Sequence, residues 1–206
     1  MTRAGFYLAR TFRRDAPLAA LSEPQAALMA ELRGKRVALV GNARSLTDRA
    51  EGADIDAADL VIRINRAPMP DPRSHGTRTD WLALATSIGA GDLARLRPSR
   101  ILWMSHKRKR LPWRVATAPG FYLHPLVDWA GLRDRLRAPP TTGLMMIDLV
   151  AASDAAALQL HGFDFFASLS LTGSRRADQV PHDFAAERDH VAALMERDPR
   201  VSRAGT

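Results

Sequence analysis

Short runs of apolar residues alternate with longer polar and amphipathic stretches along most of this chain. Continuous apolar runs of four or five residues are typical of strands that are buried on both faces, as in parallel sheets. The predicted strands are 37–40, 60–64, 81–85, 101–104, 121–123 and 157–160. Because helical patterns separate them, the sequence predicts a single α/β domain with a Rossmann-like, mainly parallel sheet flanked by helices.

Helix signals lie between and around these strands. Residues 22–25, Ser-Glu-Pro-Gln, have the spacing of a capping box with proline in the first turn, and Gly34 is placed to end the helix. A second, apolar helix is expected from Leu144 onward, after a Thr-Thr-Gly sequence. A last helix is expected over residues 183–197.

Residues 1–21 are interpreted as a basic N-terminal arm and residues 22–206 as the folded domain. Apolar side chains alternate with arginines in the arm: Phe6, Tyr7, Leu8, Phe12. This pattern suits a short amphipathic helix on a membrane, or a helix packed on the surface of the domain. The arm has no apolar core of the kind found in signal peptides, and no run in the chain approaches the roughly 18–20 residues of a membrane span.

The composition indicates what kind of partner the chain binds and in which cellular compartment it is expected. The 206 residues carry 30 basic and 22 acidic side chains, a net charge of +8. This surplus favours an anionic partner, which is a nucleic acid, an anionic membrane face or an acidic small molecule, unless the arginines are simply scattered over the surface. There are no cysteines. Disulfides and cysteine metal sites are therefore excluded, and we expect a cytoplasmic protein, peripheral at most to the inner face of the membrane.

Two asparagines follow neighbouring predicted strands. Gly41 and Asn42 end the first strand, and Asn65 ends the second. Open α/β sheets bind ligands at the carboxyl ends of their strands. Glycine permits a close approach to the backbone, and asparagine brings both a donor and an acceptor. The segment lacks the dinucleotide and P-loop glycine patterns, so a standard dehydrogenase or ATPase is not expected.

The chain resembles glycosyltransferase family 29, the sialyltransferases, in three separate segments. Residues 37–68, with V-G-N, I-D and V-I-R-I-N-R-A-P, resemble the large sialyl motif. Residues 140–163, P-T-T-G-L through to H-G-F, resemble the small motif, and residues 182–187, H-D-F-A-A-E, resemble the very small motif. The resemblance covers about three-quarters of the chain and suggests a short, bacterial-type member with a variant GT-A-like fold.

The resemblance implies the role of each site residue. The donor-binding residues are Gly41, Asn42, Asn65, Thr141, Thr142 and Gly143. His182 is the general base, and Glu187 and Ser45 are supporting residues. The hydroxyls and glycine at a helix start also suit an anion on physical grounds, and a neutral imidazole suits a base. By themselves, an ordinary helix cap and a structural histidine are the alternatives.

The implied activity is an inverting, metal-independent glycosyl transfer with no cofactor. The donor is CMP-sialic acid or CMP-Kdo, and the acceptor is a glycan or glycolipid. The competing class is a non-catalytic module, which is either a degenerate nucleotide-binding protein or a basic nucleic-acid binder.

Two features depart from the family. Val37 and Ser153 stand about where secretory members carry a disulfide. A further motif with a histidine and tyrosines that help to hold the donor phosphate is absent before His182, and His161 lies too close to the small motif to replace it. Three other residues are candidates for this role: Ser168, Ser170, Arg175.

Other patterns have competing interpretations. Asp54 and Asp56 have the Asp-x-Asp spacing of a divalent-metal site, but they lie within the large-motif match, so no metal is expected. The basic run 106–110 is a solvated loop, a nucleic-acid contact or a clamp for an acceptor or an anionic membrane, and nucleic acid is the least favoured of these. Residues 76–80 are expected to help to shape the donor pocket.

Overall fold

A computed structural model describes residues 1–165, 171 and 181–204, and in them seven strands form one sheet in which every neighbouring pair is parallel. The strands are β1 (Arg36–Val40), β2 (Leu60–Ile64), β3 (Trp81–Leu84), β4 (Arg100–Trp103), β5 (Phe121–Leu123), β6 (Ala157–His161) and β7 (Val201–Arg203). Their spatial order is β5-β4-β3-β2-β1-β6-β7. The predicted α/β class with a Rossmann-like sheet is confirmed.

Helices cover both faces of the sheet. The α-helices are α1 (Arg3–Thr11), α2 (Asp15–Ala19), α3 (Gln25–Leu32), α4 (Gly52–Asp56), α5 (Pro72–His75), α6 (Ala90–Leu96), α7 (Trp113–Ala116), α8 (Leu126–Leu136), α9 (Thr142–Ala151) and α10 (Phe184–Arg197). Two 3-10 turns span Arg44–Asp48 and Arg108–Arg110. In the part of the chain that the structure describes, none of these helices has the length and apolarity needed to cross a bilayer.

The order of the strands creates a switch point next to β1. The chain adds β2 to β5 on one side of β1 and then returns to place β6 on the other side. In open α/β sheets, ligands bind outside the carboxyl ends of the strands at such a reversal. The topology therefore directs attention to the carboxyl ends of β1 and β6.

Two buried layers hold the helices on the sheet. On one face, α3, α8, α9 and α10 contribute to a cluster that includes Leu28, Leu132, Ile147 and Val191. On the other face, α1, α2, α6 and α7 cover β3, β4 and β5, while the first 3-10 turn and α4 cover β1 and β2. Because both faces are covered, the strands are apolar at nearly every position, which explains why continuous apolar runs revealed them.

The capping-box prediction was wrong. The helix after Ser22 has Pro24 as its N-cap, with no side-chain hydrogen bond at that cap. The Ser22 hydroxyl instead accepts a hydrogen bond from the backbone N–H of Leu123 on the edge strand β5, at 2.8 Å. The local sequence pattern predicted that the Ser22 hydroxyl caps the helix, but in the fold this hydroxyl bonds to a residue distant in the chain.

The N-terminal arm packs on the domain. Phe6 of α1 is fully buried, and its ring lies against that of Trp113 with the centroids 5.1 Å apart. Arg10 donates to the Leu111 carbonyl at 3.0 Å, and Asp15 forms an ion pair with Arg108 at 2.7 Å. This arrangement corresponds to the packed-helix interpretation of the arm, while the boundary at residue 21 stays a prediction.

Candidate functional site

Asn42 and Asn65 link the carboxyl ends of β1 and β2. The Asn42 side-chain amide donates to the Ile64 carbonyl at 3.2 Å. Asn65 adopts a left-handed backbone with φ of 54°, and its side-chain oxygen accepts a hydrogen bond from the Ala85 N–H at 3.0 Å. Asparagine tolerates this conformation better than most residues. Among the described residues, the Asn65 amide nitrogen and the Asn42 side-chain oxygen have no hydrogen-bond partner, so both remain able to bind a ligand.

Gly41 and Gly143 are held together by one aromatic ring. A Cβ added to Gly41 lies 3.2 Å from the Phe163 ring and against the Gly162 carbonyl, and a Cβ added to Gly143 lies 2.7 Å from the same ring. The close approach that Gly41 permits is thus between two backbone segments of the protein. The contact brings the end of β1 and the start of α9 to opposite sides of Phe163.

The start of α9 presents unpaired backbone donors. Thr141 is the N-cap, and its hydroxyl accepts a hydrogen bond from the Leu144 N–H at 3.1 Å. The N–H groups of Thr142 and Gly143 have no partner among the described residues. Together with the positive end of the helix dipole, they can stabilise an anion placed at this end of the helix.

Glu187 of α10 fixes the position of the start of α9 through its carboxylate. The side chain is only 3% exposed, and its two oxygens accept hydrogen bonds from the Thr141 N–H and the Thr141 hydroxyl, each at 2.7 Å. Burial raises the pKa of Glu187 to about 7, although the two hydrogen bonds from Thr141 oppose that shift. This geometry gives Glu187 a positioning role.

His182 is oriented by the same loop. Its Nδ1 lies 2.7 Å from the Pro139 carbonyl, two residues before Thr141. A carbonyl can only accept, so Nδ1 must carry the proton, and a neutral ring then has its lone pair on Nε2. Asp183 caps α10 by accepting from the Ala186 N–H, and this cap fixes the backbone next to His182. His182, which lies just before α10, and Glu187, which lies within it, thus hold the residues before α9 at two points.

The predicted site residues form one connected group. Asn42 and Asn65 meet through Ile64, Gly41 and Gly143 meet through Phe163, and residues 182–187 contact both Pro139 and Thr141. Ser45 belongs to the periphery, where its hydroxyl donates to Asp164 at 3.0 Å. The candidates for phosphate binding between the small and very small motifs lie outside the described residues: Ser168, Ser170, Arg175.

His161 is buried against a carboxylate. The residue ends β6, is fully buried, and its Nδ1 lies 2.8 Å from the Glu51 carboxylate. Burial lowers the pKa of His161, while the hydrogen bond and charge of Glu51 oppose that shift. That His161 does not replace the missing motif stays a prediction.

The Asp-x-Asp pair has a structural explanation. Both residues lie on the short helix α4, where side chains two positions apart do not share a face. Asp56 accepts hydrogen bonds from the Thr77 N–H, the Thr77 hydroxyl and the Arg78 N–H, at 2.8–3.0 Å. Burial raises the pKa of Asp56, but these bonds outweigh it and lower the pKa below its usual value. No group of three or more potential metal ligands occurs among the described residues.

The prediction that residues 76–80 shape the donor pocket needs correction. These residues precede β3, and the Asp80 carboxylate accepts a hydrogen bond from the Val61 N–H near the start of β2, at 2.8 Å. They therefore lie toward the amino ends of the strands, opposite the site. Arg63, buried inside β2, donates to the His75 and Arg78 carbonyls and so holds this segment in place. Burial lowers the pKa of Arg63 to about 10, with the charge of Asp56 opposing.

Sequence reasoning assigned no role to Pro139 or to the ring of Phe163. The Pro139 contribution is a carbonyl, which every residue has, so no sequence signal identifies it. Phe163 was noted only as part of the small-motif match. Its position two residues after a buried strand and directly after Gly162, which has φ of 65°, is a signal that it turns back toward the sheet edge.

One family model matches this chain. The model describes glycosyltransferase family 29, the sialyltransferases, and matches residues 10–94. The matched part contains the first of the three motif segments, and the resemblance to this family is confirmed. The second and third segments lie beyond the matched residues. No curated protein sequence matches the chain.

Solved sialyltransferase structures share the fold. A mammalian sialyltransferase in complex with Gal-beta-1-3GalNAc-ortho-nitrophenol superposes with a TM-score of 0.64 at 16% identity, covering 97% of this chain and 84% of that one. The sialyltransferase CstII from Campylobacter jejuni in complex with CMP-3FNeuAc gives 0.52 at 14% identity, covering 82% and 80%. CstII with a trisaccharide acceptor and CMP gives 0.54 at 15% identity, covering 82% and 80%. The predicted variant GT-A-like fold is confirmed.

Proposed function

We propose that this chain, which matches the sialyltransferase family over residues 10–94 and has the sialyltransferase fold, transfers an acidic sugar from a CMP-activated donor to a hydroxyl group of a glycan or glycolipid. The observation that carries the proposal is the orientation of His182. Its Nδ1–H points at the Pro139 carbonyl, so Nε2 is the basic nitrogen, and the same loop leads directly into the anion-binding start of α9.

The donor nucleotide occupies the carboxyl ends of β1 and β2 and the start of α9. Asn42 and Asn65 offer a side-chain oxygen and an amide nitrogen to the ribose or the pyrimidine. The unpaired N–H groups of Thr142 and Gly143 bind the phosphate. The neighbours support a CMP-type donor, because one CstII structure is a complex with CMP and another is a complex with CMP-3FNeuAc.

The reaction is an inverting displacement. His182 Nε2 takes the proton from the acceptor hydroxyl, and the oxygen attacks the anomeric carbon as the bond to the phosphate oxygen breaks. Negative charge grows on the departing CMP, and the N–H groups and dipole of α9 stabilise it where it develops. CMP is a good leaving group, so the proposal includes no metal and no other cofactor. The donor sugar is sialic acid or Kdo, since the motifs chiefly recognise the nucleotide.

Calorimetry with CMP tests the binding step. We expect CMP to bind, and a random oligonucleotide to bind more weakly than CMP at moderate salt. Absence of CMP binding together with salt-sensitive binding of the oligonucleotide would contradict the proposal and favour a basic nucleic-acid module. Hydrolysis of CMP-sialic acid and of CMP-Kdo in excess chelator tests the chemistry. A loss of activity that added metal restores would point back to the Asp54 and Asp56 pair.

Two substitutions of His182 separate the base from the loop contact. His182→Ala removes both, whereas His182→Asn keeps a side-chain amide able to donate to the Pro139 carbonyl but has no Nε2. We expect both variants to lose activity by roughly 10²–10⁴-fold, with CMP affinity retained in His182→Asn. His190→Asn is the matched control, because His190 lies on α10, two turns beyond His182, but faces Asp148. Activity in His182→Asn close to that of the unmodified protein would rule out His182 as the base.

A further inference from the structure

The Thr141 hydroxyl has no hydrogen to offer a ligand while Glu187 is ionised. A hydroxyl group donates one hydrogen and accepts through two lone pairs. The Thr141 hydroxyl donates its hydrogen to Glu187 Oε2 at 2.7 Å and accepts from the Leu144 N–H at 3.1 Å. Glu187 Oε1 accepts from the Thr141 N–H, also at 2.7 Å. An ionised Glu187 therefore uses both hydrogen-bond donors of Thr141.

A proton on Glu187 Oε2 reverses one of these bonds. The carboxylic acid then donates to the Thr141 oxygen, while Oε1 still accepts from the Thr141 N–H. The Thr141 oxygen now accepts from both Glu187 and Leu144, so its own hydrogen is free to donate elsewhere. The heavy atoms can stay where they are, because an O–O distance of 2.7 Å suits a hydrogen bond in either direction.

We propose that the proton on Glu187 controls donor binding, because only the protonated carboxyl group frees the Thr141 hydroxyl to bind the phosphate of a CMP-activated donor. The inference deepens the donor site proposed above and rests on it. As the N-cap, Thr141 lies at the same end of α9 as the N–H groups of Thr142 and Gly143, which have no partner among the described residues. Protonation thus adds a third donor for the anion and removes a negative charge next to it.

Burial makes this proton available near neutral pH. The Glu187 side chain is 3% exposed, and burial raises its pKa to about 7. The two hydrogen bonds and the charge of His190 oppose that shift, while the charge of Asp183 adds to it. On the neighbouring helices, Asp148 of α9 lies 3.6 Å from His190 and 3.3 Å from Arg135 of α8.

The direction of the pH effect follows from this geometry. An anion bound at the start of α9 disfavours the ionised form of Glu187, so binding raises the pKa of this group above its value in the free protein. The protonated form binds the donor better. Affinity is therefore highest below pH 7 and falls as pH rises through 7.

Calorimetry in buffers of different ionisation enthalpy measures the proton directly. The probe is the methyl ester of CMP, because the phosphate of CMP itself takes up a second proton at about pH 6. We expect the uptake to approach one proton per bound ester at pH 8 and to be small at pH 6. The affinity should fall about tenfold between these two pH values, as the fraction of protonated Glu187 does.

Substitutions assign the proton and the hydroxyl. Glu187→Gln keeps an oxygen for the Thr141 N–H and has an amide that donates to the Thr141 oxygen, so it imitates the protonated carboxyl group. We expect no proton uptake in this variant, and an affinity at pH 8 close to that of the unmodified protein at pH 6. Glu196→Gln, at an exposed position of the same helix, is the matched control and should retain the uptake.

The role of the hydroxyl is tested in two backgrounds. Thr141→Ser keeps a hydroxyl group, whereas Thr141→Val has none. The gain in affinity that Glu187→Gln causes at pH 8 is expected in the serine background and should be much smaller in the valine background. Equal gains in both would mean that Glu187 acts through its charge alone, which overturns the inference.

The outcomes also separate this inference from the proposed function. Binding of the ester without proton uptake, or equal uptake by Glu187→Gln and the unmodified protein, overturns the inference and leaves the CMP site in place. Absence of binding by the unmodified protein at every pH overturns the proposed function, and the inference with it.

Discussion

Glu187 is a buried carboxyl group whose ionised form is stabilised by the two hydrogen bonds from Thr141 and by the nearby His190. Its pKa in the fold is about 7, raised by burial above the ordinary value of 4.5. The fold therefore favours the protonated form, and the stability that this group contributes is fully present below pH 4.5 and is lost as pH rises through 7.

We expect Glu187→Gln to remove this pH dependence, because glutamine has the same shape and does not titrate. Compared with the variant, the unmodified protein should lose on the order of 3 kcal/mol of unfolding free energy between pH 4.5 and pH 8. Urea unfolding of both proteins across that range measures the difference. Parallel curves for the two proteins would mean that the carboxyl group is not held in the buried, neutral state.

Asn65 combines a backbone role with a ligand role, and the two can be separated. Asn65→Asp keeps an oxygen to accept from the Ala85 N–H and keeps tolerance of the left-handed backbone, but removes the free amide. We expect this variant to stay within about 1 kcal/mol of the original stability and to bind CMP at least tenfold more weakly. Asn65→Ala should cost both stability and affinity. CMP titration combined with thermal unfolding distinguishes the two variants, and unchanged affinity in Asn65→Asp would remove Asn65 from the donor site.

At the scale of elements, the strands that are most buried are those that the sequence predicted correctly. The central strands are buried on both faces, so their apolar runs identified them to within one or two residues. The edge strand β7, Val201–Arg203, was not predicted, because its three residues have one buried position and no apolar run. The capping box failed because Ser22 bonds to the distant Leu123, a contact that no local pattern encodes.

The residues of the candidate site could be predicted from the sequence, but the contacts that bring them together could not. The motifs supplied the residues at the strand ends and at the start of α9. They did not indicate that the Phe163 ring packs between Gly41 and Gly143. They also did not indicate that His182, just before α10, and Glu187, within α10, hold the loop before α9. Such contacts depend on the relative placement of elements that are far apart in the chain.

The contact between α9 and Phe163 gives a prediction at this scale. Gly143→Ala places a methyl group 2.7 Å from the Phe163 ring, so either the ring or the start of the helix must move. We expect a loss of stability of about 1–3 kcal/mol and weaker CMP binding. Phe163→Leu shortens the side chain and should restore part of both losses in the double variant. A double-mutant cycle measures this coupling, and strictly additive effects would show that the two residues do not constrain each other.

For the whole molecule, the central question is whether the N-terminal arm is an appendage or a part of the core. Phe6 and Leu18 are both fully buried in the cluster that covers β3, β4 and β5, and Asp15 pairs with a buried arginine. Removing residues 1–21 would therefore expose apolar surface on the domain itself. A truncated protein is for this reason a poor test of whether the arm contacts a membrane. That interpretation has to be tested by substituting exposed residues of the arm instead.

Two phenylalanines of the arm provide a matched pair for this question. Phe6→Ala removes a fully buried ring and should cost about 3–5 kcal/mol, which lowers the melting temperature by roughly 10 °C for a chain of this size. Phe12→Ala removes a ring that is mostly exposed and should change stability by less than about 0.5 kcal/mol. Calorimetric unfolding should show one transition that shifts as a unit in Phe6→Ala, because the arm and the sheet share one core. A separate low-temperature transition for the arm, with the main transition unshifted, would instead place a domain boundary near residue 21.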